Sequence, residues 1–348
     1  RMLEDRWAAG EGEAFRRLAQ AGTLVPLTSI FPSTTAAALV SLRTGWPPAR
    51  HGWLAYFMYL RELGVAANAI TLSPYSGGGG DLLVRWGLEP DELIPAGSLA
   101  EVLATGGVST RAVLSAHFRN SGFTRMLYRG VAEIRGHLQA SDFWGHLRHL
   151  LSETRGQRAL LTAYWGGLDG SAHHYGPGAD LWQAEFRAVS HLLEEEFLNR
   201  LPAEDLDGTL LLLTADHGQI EIPPEQVVTI RDHRELQQHL LVPVMGESRA
   251  AFLYPRPGRA AAIAEHLEGA FPGYFTLLRS ADVLEAGLMG KPVSDEAVAR
   301  AGELLVLSRA NHALQHDRPK NALIGRHGGL TVQEMLVPLI GVRLEALE

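Results

Sequence analysis

The sequence predicts an α/β protein with a mainly parallel central sheet and helices on both of its faces. Apolar runs of strand length alternate with helically patterned segments over most of the chain. Two of those runs, residues 159–164 and 209–214, are almost continuously apolar, as strands buried on both faces must be. Between them Trp182, Phe186, Val189, Leu192, Leu193 and Phe197 recur at helical spacing within residues 180–201. That pattern makes the segment a helix with one face on the core.

At 348 residues the chain is long enough for one large α/β domain or two modest ones. Hydrophobic residues make up 46% and charged residues 20%, the balance of a globular enzyme. A formal net charge of −8 argues against a nucleic-acid-binding surface, which needs dense Lys and Arg. A small phosphorylated substrate stays open, because bound metal supplies positive charge locally. The absence of cysteine removes disulfides, thiolate metal sites and thiol nucleophiles together. Any metal must therefore rest on His, Asp and Glu. No apolar run approaches the roughly 18 residues of a membrane span, and no signal-peptide pattern opens the chain, so the expected location is cytoplasmic.

From the N-terminus, Phe31-Pro32-Ser33-Thr34-Thr35 places hydroxyl residues at a strand exit, just ahead of the helix-competent run 36–42. Two readings share that geometry. Ser and Thr are favoured helix N-caps, and a hydroxyl at a helix N-terminus also stands where a phosphate docks on free N–H groups. Arg43, near the end of the run, is expected on the outer face of the helix. Ser73-Pro-Tyr-Ser76 leads into four glycines, Gly77 to Gly80. Without a strand-to-helix context or a P-loop lysine, this reads as a flexible loop.

The strand at 159–164 is followed by Asp169-Gly-Ser-Ala-His173. A carboxylate and an imidazole four positions apart share one face of a helical turn and can reach one metal; an exposed Asp/His pair is the plainer alternative. Asp216, His217 and Gly218 follow directly on the strand at 209–214. There they either turn toward a common point or serve as a capping Asp and a solvent-facing His. Residues 243–319 carry Pro255, Pro257, Gly258, Pro272 and Gly273 around an alanine-rich helix at 259–269. They read as a cap-like subdomain inserted in a single catalytic domain spanning 1–348. His327-Gly328-Gly329 comes shortly before the last strand candidate, 336–344, which Pro338 weakens.

Two Asp, three His and one Thr thus fall at or near the ends of expected strands, where open α/β sheets bind ligands. That N/O set suits zinc first and manganese second. Two such ions about 3.5–4 Å apart can clamp the attacking and leaving oxygens of an in-line phosphoryl displacement.

Taken together, these motifs resemble the type I phosphodiesterase/nucleotide pyrophosphatase family of the alkaline phosphatase superfamily. Thr35, Gly45, His51 and Gly52 reproduce the spacing of that family's nucleophile segment, which selects Thr35 over Ser33 and Thr34. Asp169, His173, Tyr175, Gly176 and Pro177 match its Asp-x-x-x-His and Tyr-Gly-Pro; Asp216-His217-Gly218 matches its Asp-His-Gly, and His327-Gly328 its late His-Gly. The resemblance implies a three-layer sandwich, a central sheet between helices. It implies one metal on Asp169, His173 and His327, and a second on Asp216, His217 and the Thr35 oxygen. It also implies a covalent phospho-Thr35 intermediate, later hydrolysed by water.

Two departures stand out. The family has a further metal-binding Asp at the end of its first strand, whereas here no apolar strand precedes Asp5. The expectation is that this strand and its Asp are missing, with Asp5 a poor substitute. The family's nucleotide pyrophosphatases also place an Asn where this chain has Tyr56. A phenol can donate to a phosphate oxygen as well, so Tyr56 is the expected substrate-binding residue. The function expected is hydrolysis of phosphodiester or nucleotide pyrophosphate bonds. The alternatives are phosphomonoester or phosphonate hydrolysis on the same core, and a catalytically silent metal-binding scaffold.

Overall fold

The computed structural model describes residues 6–318 and 322–347. Asp5 lies outside the described residues. In chain order the strands are β1 (Thr23–Thr28), β2 (Phe57–Leu60), β3 (Val65–Asn68), β4 (Ser73–Pro74), β5 (Ser109–Ser115), β6 (Glu133–His137), β7 (Ala159–Ala163) and β8 (Leu210–Thr214). There follow β9 (Ile220–Glu221), β10 (Val227–Thr229), β11 (Met245–Gly246), β12 (Ala250–Leu253), β13 (Phe275–Arg279), β14 (Leu304–Ser308), β15 (Ala313–Gln315), β16 (Gly325–Arg326) and β17 (Leu336–Arg343). The longer helices are α1 (Glu13–Ala21), α2 (Thr35–Thr44), α3 (Ala140–Glu153), α4 (Gly167–Tyr175), α5 (Asp180–Leu192) and α6 (Ala260–Ala270).

The α/β architecture expected from the sequence is present, with both sheet directions in it. Strands β6, β5 and β7 form a parallel sheet in that order. Strand β17 runs between β1 and β8, antiparallel to both. Helices α1, α3 and α5 bury Phe15, Leu18, Phe143, Leu147, Trp182 and Phe186 against Val113 of β5 and Ile340 and Val342 of β17. Helix α5 passes directly into a π-turn at Leu193–Phe197, which extends its apolar face to the expected length.

Pro338 does not end its strand. It lies opposite Pro26 across the ladder and one residue outside the Leu339–Thr214 register, where a residue without an N–H is tolerated. The double burial expected of residues 209–214 is not found. Leu211 and Leu213 pack inward, but Leu210 and Leu212 are 59% and 61% exposed. Among the described residues, β7 pairs only with β5 and β8 only with β17, so each keeps one free edge.

A seven-stranded antiparallel sheet runs β13-β14-β12-β11-β2-β3-β4. Strands β11 to β14 thus share a sheet with β2 to β4 through the β11–β2 contact at Gly246 and Phe57. The small β9–β16 pair has a local consequence for the site. It sets Ile220 against Arg326, and so brings the segment after His217 beside the segment before His327. No helix among the described residues is long and apolar enough to cross a membrane.

Candidate active site

Helix α2 begins at Thr35, with Thr34 extended at its N-cap. The Thr34 hydroxyl does not cap the helix; it donates to Glu247 Oε1 at 2.6 Å. The Thr35 hydroxyl lies 2.9 Å from His217 Nε2. Ser33 clamps the opposite loop: its hydroxyl donates to Gly329 O at 2.8 Å and accepts from Gly328 N–H. The three hydroxyls of this segment therefore have three different partners. Further along, His51 Nε2 meets Ser41 Oγ of α2 at 3.0 Å, and its Nδ1 accepts from Trp53 N–H. The His51-Gly52 motif thus braces the helix from behind.

Asp169 and His173 stand on α4 at the expected i, i+4 spacing, with His173 Nε2 3.4 Å from Asp169 Oδ1. His327 Nε2 approaches the same oxygen to 3.8 Å. The three side chains offer ligand atoms all within 4.8 Å of one another. Gln219 holds the carboxylate by donating to Asp169 Oδ1 at 3.0 Å. His217 and His327 stack face to face, ring centres 3.7 Å apart, and Asp216 Oδ2 lies 3.7 Å from His217 Nε2. Thr35, Asp169, His173, Asp216, His217 and His327, separated by up to 292 positions in sequence, meet in one place.

The three imidazoles have the same tautomer, and the backbone sets it. Nδ1 of His173 lies 2.7 Å from Gly325 O, Nδ1 of His327 lies 3.0 Å from Ser33 O, and Nδ1 of His217 lies 3.0 Å from Gly218 O. A carbonyl only accepts, so each Nδ1 carries the proton and each Nε2 presents a lone pair. That is the donor arrangement a divalent cation needs, with the ring orientation already fixed. Burial, with His217 and His173 beside it, holds His327 well below the ordinary histidine range. Burial raises Asp169 above the ordinary carboxylate range, with His173 and His217 opposing it. A half-buried carboxylate facing three imidazole nitrogens is a donor set that a cation relieves.

The loops carrying these residues are tied together by a buried ion pair. Arg249 Nη2 and Glu334 Oε2 are 3.0 Å apart, and neither side chain has any exposure. Glu334 also accepts from Gly329 N–H, and its carbonyl accepts from Gly218 N–H. Gly218 has to be glycine: a Cβ there would lie 2.0 Å from the Gln333 carbonyl oxygen.

A sequence profile of the type I phosphodiesterase/nucleotide pyrophosphatase family matches residues 3–330. The chain belongs to that family. By family it is a phosphoester hydrolase. Among solved structures it is similar to murine ectonucleotide pyrophosphatase/phosphodiesterase 5, with 16% identity over 95% of this chain and 83% of that one, at a TM-score of 0.74. It is also similar to phosphonoacetate hydrolase from Sinorhizobium meliloti 1021, with 16% identity over 99% of this chain and 90% of that one, at a TM-score of 0.67. An inactive form of the murine protein was solved in complex with AMP, and the hydrolase with phosphonoformate. No curated protein matches the chain in sequence.

Sequence reasoning missed several residues of this family member's site. Tyr164 at the exit of β7 points its hydroxyl to within 3.5 Å of Asp216 Oδ2, and burial raises it far above the ordinary phenol range. Glu247 reaches Thr34 and, through Oε1, the Tyr56 N–H at 2.9 Å. Burial pushes its carboxyl up to about 7. Both were hidden in segments without a motif. Tyr56 itself is 36% exposed, its ring edge-on to Phe57. Arg43 is not on an outer face. Its guanidinium turns inward over the Tyr128 ring and donates to Thr162 Oγ1 and Tyr128 Oη, because α2 is covered there too.

Proposed function

We propose that this protein hydrolyses phosphodiester or nucleotide pyrophosphate bonds through a phospho-Thr35 intermediate, with two divalent metal ions, zinc or manganese, as cofactors. The observation that carries the reading is the Thr35 hydroxyl at the start of α2, 2.9 Å from His217 Nε2 and beside the Asp169–His173–His327 group. The donor set fits divalent metal. Asp169, His173 and His327 would hold one ion, and Asp216, His217 and the Thr35 oxygen the other. When bound, these ions supply a lowered hydroxyl pKa at Thr35 and neutralise charge on the phosphoryl oxygens.

The chain's own groups do the rest. The first-turn N–H groups of α2 have no intrahelical partner and face a docked phosphoryl group. Thr35 Oγ1 attacks phosphorus in line, the P–O bond to the leaving group breaks, and that oxygen departs with the electron pair. Water then attacks phospho-Thr35, releasing the phosphoryl product and restoring the hydroxyl. Tyr56 and residues 243–319, read as a cap within one catalytic domain, would border the leaving group. The contact between Glu247 and the Tyr56 N–H supports that placement.

The test compares hydrolysis of bis-p-nitrophenyl phosphate and p-nitrophenyl phosphate by zinc- and manganese-loaded protein. Preference for the diester is expected, with Thr35→Ala inactive but folded. Preference for the monoester would move the function to a phosphatase on the same side chains. Unchanged turnover by Thr35→Ala would remove Thr35 as nucleophile.

A further inference from the structure

Glu247 belongs to neither proposed ligand set, yet it touches three of the segments that form the site. It sits at the tight turn between β11 and β12, where its N–H and carbonyl both pair with Ala250. The preceding Gly246 has φ +91, and a Cβ there would lie 2.4 Å from the Ala250 carbonyl oxygen, so the turn has little freedom. Two residues on, Arg249 is anchored in its buried pair with Glu334.

From this rigid base the carboxylate accepts the Thr34 hydroxyl and the Tyr56 N–H, both on Oε1. Its Cβ packs against Gly328, next to His327; a Cβ on Gly328 would lie 2.4 Å away. Oε2 has no hydrogen-bond partner among the described residues. Thr34 gives up its capping role to make this contact, exchanging a neutral cap for a charge-assisted bond. The result is a carboxylate held by the residue next to the nucleophile, with Oε1 engaged by Thr34 and Tyr56 and Oε2 unbonded among the described residues.

We propose that Glu247 is a specificity-determining residue: its carboxylate disfavours dianionic phosphomonoesters and so sets a preference for monoanionic phosphodiesters. This rests on the reading of Thr35 as nucleophile. A monoester brings one more negative charge to the start of α2 than a diester does. In a weakly screened site that extra charge is repelled by Glu247, while the second ester substituent of a diester carries none.

The experiment measures kcat/KM for bis-p-nitrophenyl phosphate and p-nitrophenyl phosphate with zinc-loaded wild type, Glu247→Gln and Thr35→Ala. The pH is set at about 8, above the second phosphate pKa of about 6. Glutamine keeps an oxygen for both Thr34 and Tyr56 and removes only the charge. Glu247→Gln is expected to raise monoester over diester activity by roughly tenfold or more, the effect of one charge pair at several ångströms in an effective dielectric of about 20. The inhibition constant of inorganic phosphate, a dianion at this pH, should fall alongside it. An unchanged ratio, a ratio shifted toward the diester, or an equal loss of both activities would overturn the proposal and leave Glu247 as a structural clamp. Thr35→Ala separates the two layers: if it retains turnover, the nucleophile reading fails whatever Glu247 does.

Discussion

A histidine imidazole in this chain is oriented by what its Nδ1 meets, and that separates the three at the proposed metal site from His51. His173, His217 and His327 give Nδ1–H to carbonyls and present Nε2. Replacing His327 by Ala should lower zinc affinity by roughly 10- to 100-fold or more, read by calorimetric titration of the metal-free protein. His51 differs: it accepts at Nδ1 and is fully buried, and burial together with Arg300 lowers it to about 3. The unfolded chain binds a proton at His51 below about pH 6.5, which the folded protein refuses. Stability from this group is therefore complete above about 6.5 and lost as pH falls toward about 3. Urea unfolding of wild type and His51→Gln over that window should show a shallower acid loss in the variant. At this scale the residues of the candidate site could be picked out because the spacing of four motifs singled them out. Glu247 and Tyr164 were not, because only tertiary contacts bring them to Thr34 and Asp216.

Elements locate those residues through a few close approaches. The β9–β16 pair and the Arg249–Glu334 ion pair together lock the loop after β8 to the loop before β17. Glu334→Gln leaves a buried guanidinium without its counter-charge, and should cost about 3–5 kcal/mol in chemical denaturation. Gly218→Ala would drive a methyl group into the Gln333 carbonyl. The expected outcome is a loss of about 1–3 kcal/mol, with weaker metal binding because Asp216 and His217 shift with the loop. The helix-competent run after Thr35 and the strands before Asp169 and Asp216 could be read from the apolar pattern, and the helical turn of Asp169 and His173 from their spacing. Arg249 could not: a lone arginine in a segment without pattern carries no sign that its partner lies 85 positions away.

At the scale of the molecule, metal bound at the proposed site would link distant parts of the chain, and this should appear as stability. An ion that binds only the folded state adds about 2.7 kcal/mol at a hundredfold excess over its dissociation constant. Zinc should raise the thermal midpoint by several degrees, and a chelator should return it. The alternation of apolar runs made the α/β class legible, but sheet order was not. Nothing local distinguishes β17, antiparallel between two neighbours, from a parallel strand.

The free edges of β7 and β8 have a consequence of a colloidal kind. Leu210 and Leu212 on β8, 59% and 61% exposed, give an apolar strip along a strand that can accept a foreign backbone. A net charge of −8 keeps copies of the chain apart at low ionic strength. Added salt weakens that repulsion while leaving the strip as apolar as before. Light scattering from the purified protein should therefore grow with salt, and Leu212→Lys should flatten the rise.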